Sequence, residues 1–315
     1  MQPKIKVIGV GGSGSNTVSR MANFHMQEVE LLAANTDAQA LYFSKGRPNG
    51  YPGYPKKLLI GKTLTKGLGT GMDAKLGRKS AEESKQEILE NLKGADMVFV
   101  TCGLGGGTGS GASPIIAEIS KELGILTVAV VTTPFSFEGE VRKKIAEQAI
   151  ENLKGKVDSL LVISNDKLLK VIDEKTTVSN AFLICDDILR EAVQSITDLI
   201  LVPGIINIDF ASVLSIIKNS GNSLFGVGRA VGENRAVLAA ESAINSPLLD
   251  FSIKGSRGVL FSVSGNDITL NEIQEAAKII TKNVDAKAQI IFGAVKDNNL
   301  KKGEIKITVI ATKLV

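Results

Sequence analysis

Residues 103 to 111 read Gly103-Leu-Gly-Gly-Gly-Thr-Gly-Ser-Gly111, six glycines and two hydroxyl side chains in nine positions, directly after the strand-like run Asp96 to Cys102. Glycines are entropically costly to order and leave no side chain to pack, so a purely structural turn accounts poorly for six of them. A loop whose backbone N–H groups approach a phosphate at a helix start accounts for them well. Residues 112 to 123 continue with helical spacing, which makes the unit strand, glycine loop, helix. The same order opens the chain: residues 4 to 8 read as a buried strand, Gly9-x-Gly11-x-x-Gly14 follows, and a helix runs to about Phe24. On its own this first loop has two readings, a tight strand-to-helix turn or a phosphate cradle. Two such loops in one domain point at one polyphosphate.

Outward from these loops the pattern repeats. Strands at 31–34, 96–102, 127–132 and 159–163 alternate with helices at 80–92, 112–123 and 141–153. The strands are nearly continuous in Val, Ile and Leu, which predicts a parallel sheet covered on both faces. Val178 to Leu201 carries helical apolar spacing over 24 residues and is stopped by Pro203-Gly204. Beyond it, helices are predicted near 234–245 and 269–283, the second opened by a Thr269-x-x-Glu272 capping box, and strands near 257–264, 288–295 and 304–312. The expected fold class is α/β: a doubly wound, mostly parallel-sheet domain over 1–177, a central helix over 178–201, and a smaller α/β domain over 202–315. Gly46 to Leu59, with three prolines and two tyrosines, reads as a surface excursion.

Composition removes other classes. The 315 residues carry 37 Lys+Arg and 33 Asp+Glu, a formal charge of +4, with 43% hydrophobic residues, enough for two packed cores. One histidine, His25, and two cysteines, Cys102 and Cys185, are too few for a zinc site of three or four His/Cys ligands. No G-x-S-x-G elbow accompanies His25, so triad chemistry is not expected. The longest apolar run, Ile125 to Val131, is far short of a membrane helix. Only four apolar residues precede Gly9, too few for a signal peptide, so a cytoplasmic location is expected. Basic residues are scattered in pairs such as Lys56-Lys57 and Lys143-Lys144 with no aromatic interleaving, so neither nucleic acid nor direct membrane insertion is expected. Gly61-Lys62-Thr63 is not a Walker A element, because Lys56-Lys57-Leu58-Leu59-Ile60 precedes it where a glycine loop should open. Asp37 lies 23 residues past Gly14, near the spacing of a ribose-binding acid, so a nicotinamide oxidoreductase is an alternative, though it leaves the second glycine loop without a task.

Six segments in order carry a family resemblance: Ile8-Gly-Val-Gly-Gly-Ser-Gly-Ser-Asn16, Asn35-Thr-Asp-Ala-Gln-Ala-Leu41, Gly105-Gly-Gly-Thr-Gly-Ser-Gly111, Pro134-Phe-Ser-Phe-Glu-Gly139, Asn207-Ile-Asp-Phe-Ala211 and Gly232-Glu-Asn-Arg235. The chain resembles, along essentially its whole length, the FtsZ family of tubulin homologues of bacterial cell division. That resemblance implies a GTP-binding domain, a C-terminal activation domain, and head-to-tail filaments of the division ring in which each subunit completes its neighbour's GTPase site. It implies a nucleotide site formed by Gly11, Gly12, Ser13, Gly14, Ser15 and Asn16, by Gly105, Gly106, Gly107, Thr108 and Gly109, and by Gly71 of Gly69-Thr-Gly71 at the terminal phosphate. It also places Asn16 and Asn165 near the base and Glu138 and Arg142 at the ribose and phosphate edge. Arg142 has the alternative of being an ordinary exposed arginine. Mg²⁺ on the phosphates, with no protein ligand assigned, and a monovalent cation complete the implied cofactors.

The residues make their own case for guanine. Phe182 and Asp186 are spaced i, i+4 and share one helix face. An aromatic face stacks on a base, and a carboxylate accepts the N1 and N2 donors that guanine has and adenine lacks. The alternative is that Phe182 is core and Asp186 a solvated helix residue. Neither glycine loop offers a base for attacking water. Asp209 follows the 24-residue helix, roughly 36 Å from the helix start at 1.5 Å per residue, which favours reaching the nucleotide of a stacked neighbour over its own. Asp209 is expected to orient water and Asn207 to position the loop. A turn residue or helix cap is the plain alternative for Asp209. The family pattern has a second acid three residues on, where this chain has Ser212, so turnover is expected to be slow, by about 10²- to 10⁴-fold if that acid shares the work. A GTP- or GDP-binding structural filament protein with almost no hydrolysis is therefore the runner-up. The disordered linker and terminal peptide that recruit membrane tethers and division-ring partners in the family are not found in this sequence.

Overall fold

The structure is a computed structural model, and it describes residues 2–24, 28–44, 54–169, 172–173, 175–246, 252–297 and 300–313. His25 and residues 46–53 of the proline-rich excursion lie outside the described residues. Close Cα packing divides the chain into Met1–Gln194 and Ser195–Val315.

The first unit runs β1 (Ile5–Val10), α1 (Gly11–Met21), β2 (Val29–Asn35), α2 (Ala38–Phe43), β3 (Lys56–Leu59), α3 (Lys62–Thr65), α4 (Ala74–Glu83), α5 (Lys85–Leu92), β4 (Met97–Gly103), α6 (Gly107–Glu122), β5 (Leu126–Thr133), α7 (Glu140–Leu153), β6 (Ser159–Ser164), α8 (Asn165–Leu168) and α9 (Val178–Leu201). The division between units falls inside α9, whose bounds match the apolar periodicity read from the sequence. All pairings within the first unit's sheet are parallel, in the order β3-β2-β1-β4-β5-β6. Every residue of β1 and all but the last of β4 and β5 are buried, the condition that a continuous apolar run anticipates for a strand covered on both faces. This order reverses direction between β1 and β4, the place where doubly wound sheets bind ligands beyond the strands' carboxyl ends. Both glycine loops follow these two strands.

Three expectations change here. The predicted helix over 80–92 is two helices, α4 and α5, meeting at Ser84. Residues 56–59 of the supposed excursion form β3, paired to β2. The glycine loops are shorter than read, because α1 begins at Gly11 and α6 at Gly107. The last difference follows from close helix contact: a Cβ at Gly111 would collide with the Ala74 carbonyl, and one at Gly77 with the Gly107 carbonyl. Glycine in these positions lets α4 and α6 touch backbone to backbone, which outweighs its poor helix propensity.

The second unit runs α10 (Phe210–Ile217), β7 (Gly221–Val231), α11 (Arg235–Ile244), β8 (Gly258–Gly265), α12 (Leu270–Lys282), β9 (Gln289–Lys296) and β10 (Glu304–Thr312). Its strands lie in the order β7-β10-β8-β9, with β10 antiparallel to β7 and β8, and β8 parallel to β9. α10 and β7 were not anticipated. β7 carries three glycines, Gly221, Gly226 and Gly228, and a Cβ at Gly228 would collide with the Ala239 carbonyl of α11, so that glycine is there for helix approach. The predicted Thr269–Glu272 capping box is present. Arg235, from the Gly232–Arg235 motif, is buried and ties α11 to α12 through Asp267 at 2.8 Å and Glu272 at 2.5 Å. Among the described residues no helix is long and apolar enough to cross a membrane.

Candidate functional site

The two glycine loops are in contact. β1 and β4 lie side by side with Gly9 opposite Thr101. A Cβ on Gly11, whose φ is +74°, would come within 2.9 Å of the Gly109 nitrogen, and one on Gly14 within 2.5 Å of the Thr101 carbonyl oxygen. These glycines are required by backbone packing. Gly12 and Gly106 are different, because an added Cβ at either would meet nothing within 4 Å. Neither has the left-handed backbone that favours glycine. A glycine that neither packing nor φ demands fits a backbone that a ligand must approach closely.

Helix ends reinforce this. The first N–H groups of any helix lack intrahelical partners and need a side chain, water or an anion. Asp37, Asp73, Asp209 and Thr269 cap α2, α4, α10 and α12 through their side chains. α1 and α6 start at Val10 and Gly106 with no side-chain cap, a state they share with α3, α5, α7, α8 and α11, and the first turns of α1 and α6 touch. Two uncapped helix N-termini beside each other, from helices of 11 and 16 residues, are a site for negative charge. The capping role of Asp37, whose Oδ1 accepts the Ala40 N–H at 2.8 Å, also removes the ribose-binding acid that the nicotinamide alternative needed.

Beneath the second loop sits a layer of threonines. Thr108 Oγ1 is 2.6 Å from Thr36 Oγ1 and 3.3 Å from Thr70 Oγ1. It joins the ends of β2 and α6 to residues 66–72, where Lys66, Gly67, Gly69, Gly71 and Met72 all have positive φ. Gly71 faces open space, and Leu68 beside it is 85% exposed. Sequence reading placed the Gly69-Thr70-Gly71 segment and Thr108 here, and quoted Thr36 within a resemblance motif without giving it a role.

One face of α1, through Ser13, Thr17 and Arg20, meets α9. Asp186 is buried and accepts hydrogen bonds from Thr17 Oγ1 at 3.1 Å and Ser13 Oγ at 3.5 Å, with Arg20 Nε at 3.4 Å. Burial raises its pKa from 3.8 to about 6, with Asp187 adding to the rise and Arg20, Thr17 and Ser13 opposing it. Thr17 and Arg20 carried no sequence signal, although i, i+4 spacing from Ser13 to Thr17 would have found the first. Phe182, 40% exposed, meets Phe135 edge-on at 5.4 Å, and Phe135 stacks on Phe137 at 4.9 Å. Glu138 accepts from the Phe135 N–H and from Arg142 Nη1, both at 2.9 Å, while Arg142 packs against Gly105. Two buried polar atoms in this region, Ser15 Oγ and Asn165 Oδ1, have no hydrogen-bond partner among the described residues. Asn16 is exposed on the same α1 face as Gly12.

Asn207 and Asp209 lie in the second unit. Asn207 Oδ1 accepts the Gly204 N–H at 2.6 Å, and the Ile205 and Ile206 N–H groups donate to the Ala294 carbonyl, which pins the loop to β9. Asp209 Oδ1 accepts the Ser212 N–H at 2.8 Å. The Ser212 hydroxyl and N–H hold the Asp209 carboxyl below its usual range, so it stays ionised. Asp209 is thus a helix cap, and it is also exposed.

A doubly wound sheet with two uncapped helix N-termini at its switch point defines a phosphate-binding α/β protein. The chain belongs to the tubulin/FtsZ family: residues 4–173 match the family's GTPase domain and residues 221–315 the FtsZ family C-terminal domain. Among solved structures it is similar to an FtsZ dimer, empty, from M. jannaschii, at 43% identity over 99% of this chain and 88% of that chain, with a TM-score of 0.93. It shares the fold of CetZ1 from Haloferax volcanii, a GDP-bound monomer, at 20% identity over 99% of this chain and 94% of that one, TM-score 0.82. CetZ2 from the same organism, a GTPγS-bound protofilament, aligns at 21% identity over 98% and 92% of the two chains, TM-score 0.80. The nicotinamide reading is set aside.

Proposed function

We propose that this chain binds GTP across the two glycine loops, assembles head to tail, and hydrolyses the nucleotide of its neighbour at the division site of the cell. The observation that carries the reading is the pair of uncapped helix N-termini flanked by Gly12 and Gly106, whose missing side chains leave room for phosphate oxygens. Gly11 to Ser15 and Gly105 to Gly109 hold the phosphates, and Gly71 borders the terminal one. Phe182 stacks on the base. Asp186 takes the guanine N1 and N2 donors: of a carboxylate's about four acceptor sites, Thr17 Oγ1 and Arg20 Nε hold two, and the Ser13 hydroxyl, at 3.5 Å, gives way to the base. Asn16 and the unpartnered Asn165 Oδ1 lie within the base region, with Glu138 and Arg142 at the ribose edge. The phosphates would hold Mg²⁺, which would supply charge neutralisation there.

Asp209 supplies what the loops lack, a charged acceptor for the attacking water, and Asn207 fixes its loop. Exposed apolar residues accompany both parts: Leu68 and Met72 beside Gly71, Val202 and Ile205 beside Asp209. Apolar side chains exposed beside both parts of a split site favour burial between copies, and the M. jannaschii relative is described as a dimer. Membrane tethers and other division proteins are further expected partners.

Ser212 favours a second reading, a filament that binds GTP and scarcely turns it over. Phosphate release measured on sedimenting filaments separates the two, and Ser212→Asp should raise it about 10²-fold or more. Unchanged turnover in that variant refutes the role given to the missing acid; GTP cleavage at full speed by a dilute, non-sedimenting sample refutes the shared site.

A further inference from the structure

A groove of about 510 Å³ lies over α6 in the first unit, walled by α4 on one side and α7 on the other. Its floor is apolar, with Pro114 and Ile115 buried and Ile145 half-buried. Its rim is cationic: Lys75 and Arg78 on α4 face Lys144 on α7 and Lys156 just beyond it. None of its lining residues is acidic. Arg78 is paired with Glu82 and Lys156 with Glu118, both at 2.8 Å, whereas Lys75 and Lys144 are exposed. The volume is that of a small-molecule pocket, and such pockets combine an apolar lining with a few placed charges.

We propose that this groove is a binding site for an amphipathic organic anion, a ligand with an apolar body for Ile115 and Ile145 and an acidic head for Lys75 and Lys144. The match rests on charge: two exposed cations on opposite walls, without an ion pair among the described residues, attract one anionic head, and the floor removes an aromatic or aliphatic body from water. The site is separate from the nucleotide loops in chemistry. It adjoins them in structure, because Ser110 lines it and its Oγ accepts the Gly105 N–H at 2.9 Å.

The probe is 8-anilinonaphthalene-1-sulfonate, titrated by fluorescence into the full chain with saturating GDP. Saturable binding is expected, weakened about tenfold by Lys75→Glu combined with Lys144→Glu. The control is Lys143→Glu, on the same helix but outside the groove, which should change affinity by less than about twofold. Unchanged melting temperatures verify folding of the variants, and Lys144→Gln alone serves if the double variant does not fold, with about threefold weakening expected. Non-saturable fluorescence, or equal affinity in the groove variants and the Lys143→Glu control, overturns the proposal.

Discussion

Asp186 and Asp209 are the same residue type placed in opposite environments. Asp186 is buried where α9 crosses α1, and desolvation drives its pKa up to about 6 against three donors that pull the other way. Asp209 caps α10 in the open, and the Ser212 hydroxyl and N–H lower its pKa. A buried carboxylate poised near neutrality gains most from new donors, which suits recognition of a base edge. An exposed one held ionised suits polarising water. Under the proposed roles, environment rather than residue type divides base reading from chemistry.

The largest break in this comparison is Asp209→Asn. Phosphate release by filaments should fall about 10²- to 10⁴-fold while GDP affinity by calorimetry stays put. Retained turnover would remove Asp209 from the chemistry. Asp186→Asn should do the reverse, cutting GDP affinity about 10- to 100-fold, since the amide offers one acceptor and repels a donor. It should also narrow the preference for GTP over ITP, which lacks the N2 group. Equal losses for both nucleotides sink the base-reading role.

The glycines permit a finer test. Gly12→Ala places a methyl in open space on α1, so the nucleotide-free chain should melt no lower than the parent while GDP binding weakens about tenfold. Gly14→Ala drives a methyl at the Thr101 carbonyl and should lower stability by about 1–3 kcal/mol. If Gly12→Ala left affinity intact, its backbone would not face a phosphate. Acid gives the smallest effect. Asp186 has a folded pKa raised above its ordinary 3.8. Its protonation therefore stabilises the empty chain as pH falls below about 6, an advantage lost as pH rises through that value. Guanine needs the charged form, so GDP affinity should drop about tenfold between pH 7 and pH 5. Asp186→Asn should flatten that slope, and a slope that persists in the variant assigns it to another group.

Much of this was legible in the chain. The two glycine loops, the strands that flank them, α9 and the Thr269 capping box are local patterns, and each appears where residue chemistry put it. The misreadings share a cause. β7 went unassigned and α4 was cut short because Gly228, Gly77 and Gly111 serve contacts with distant backbone, and no neighbour in sequence reports such a contact. Thr17 and Arg20 were overlooked for the same reason, since a single hydroxyl and a lone arginine acquire meaning only beside Asp186.

The sequence by itself determined the family, the parallel α/β class and the phosphate loops, because backbone freedom at glycine and apolar periodicity act over a few residues. Tertiary structure alone decided which glycines border open space and which face backbone, which helices go uncapped, and which aspartate is buried. Those outcomes depend on what packs against each residue from elsewhere in the chain, and desolvation and steric contact exist only once that packing is made.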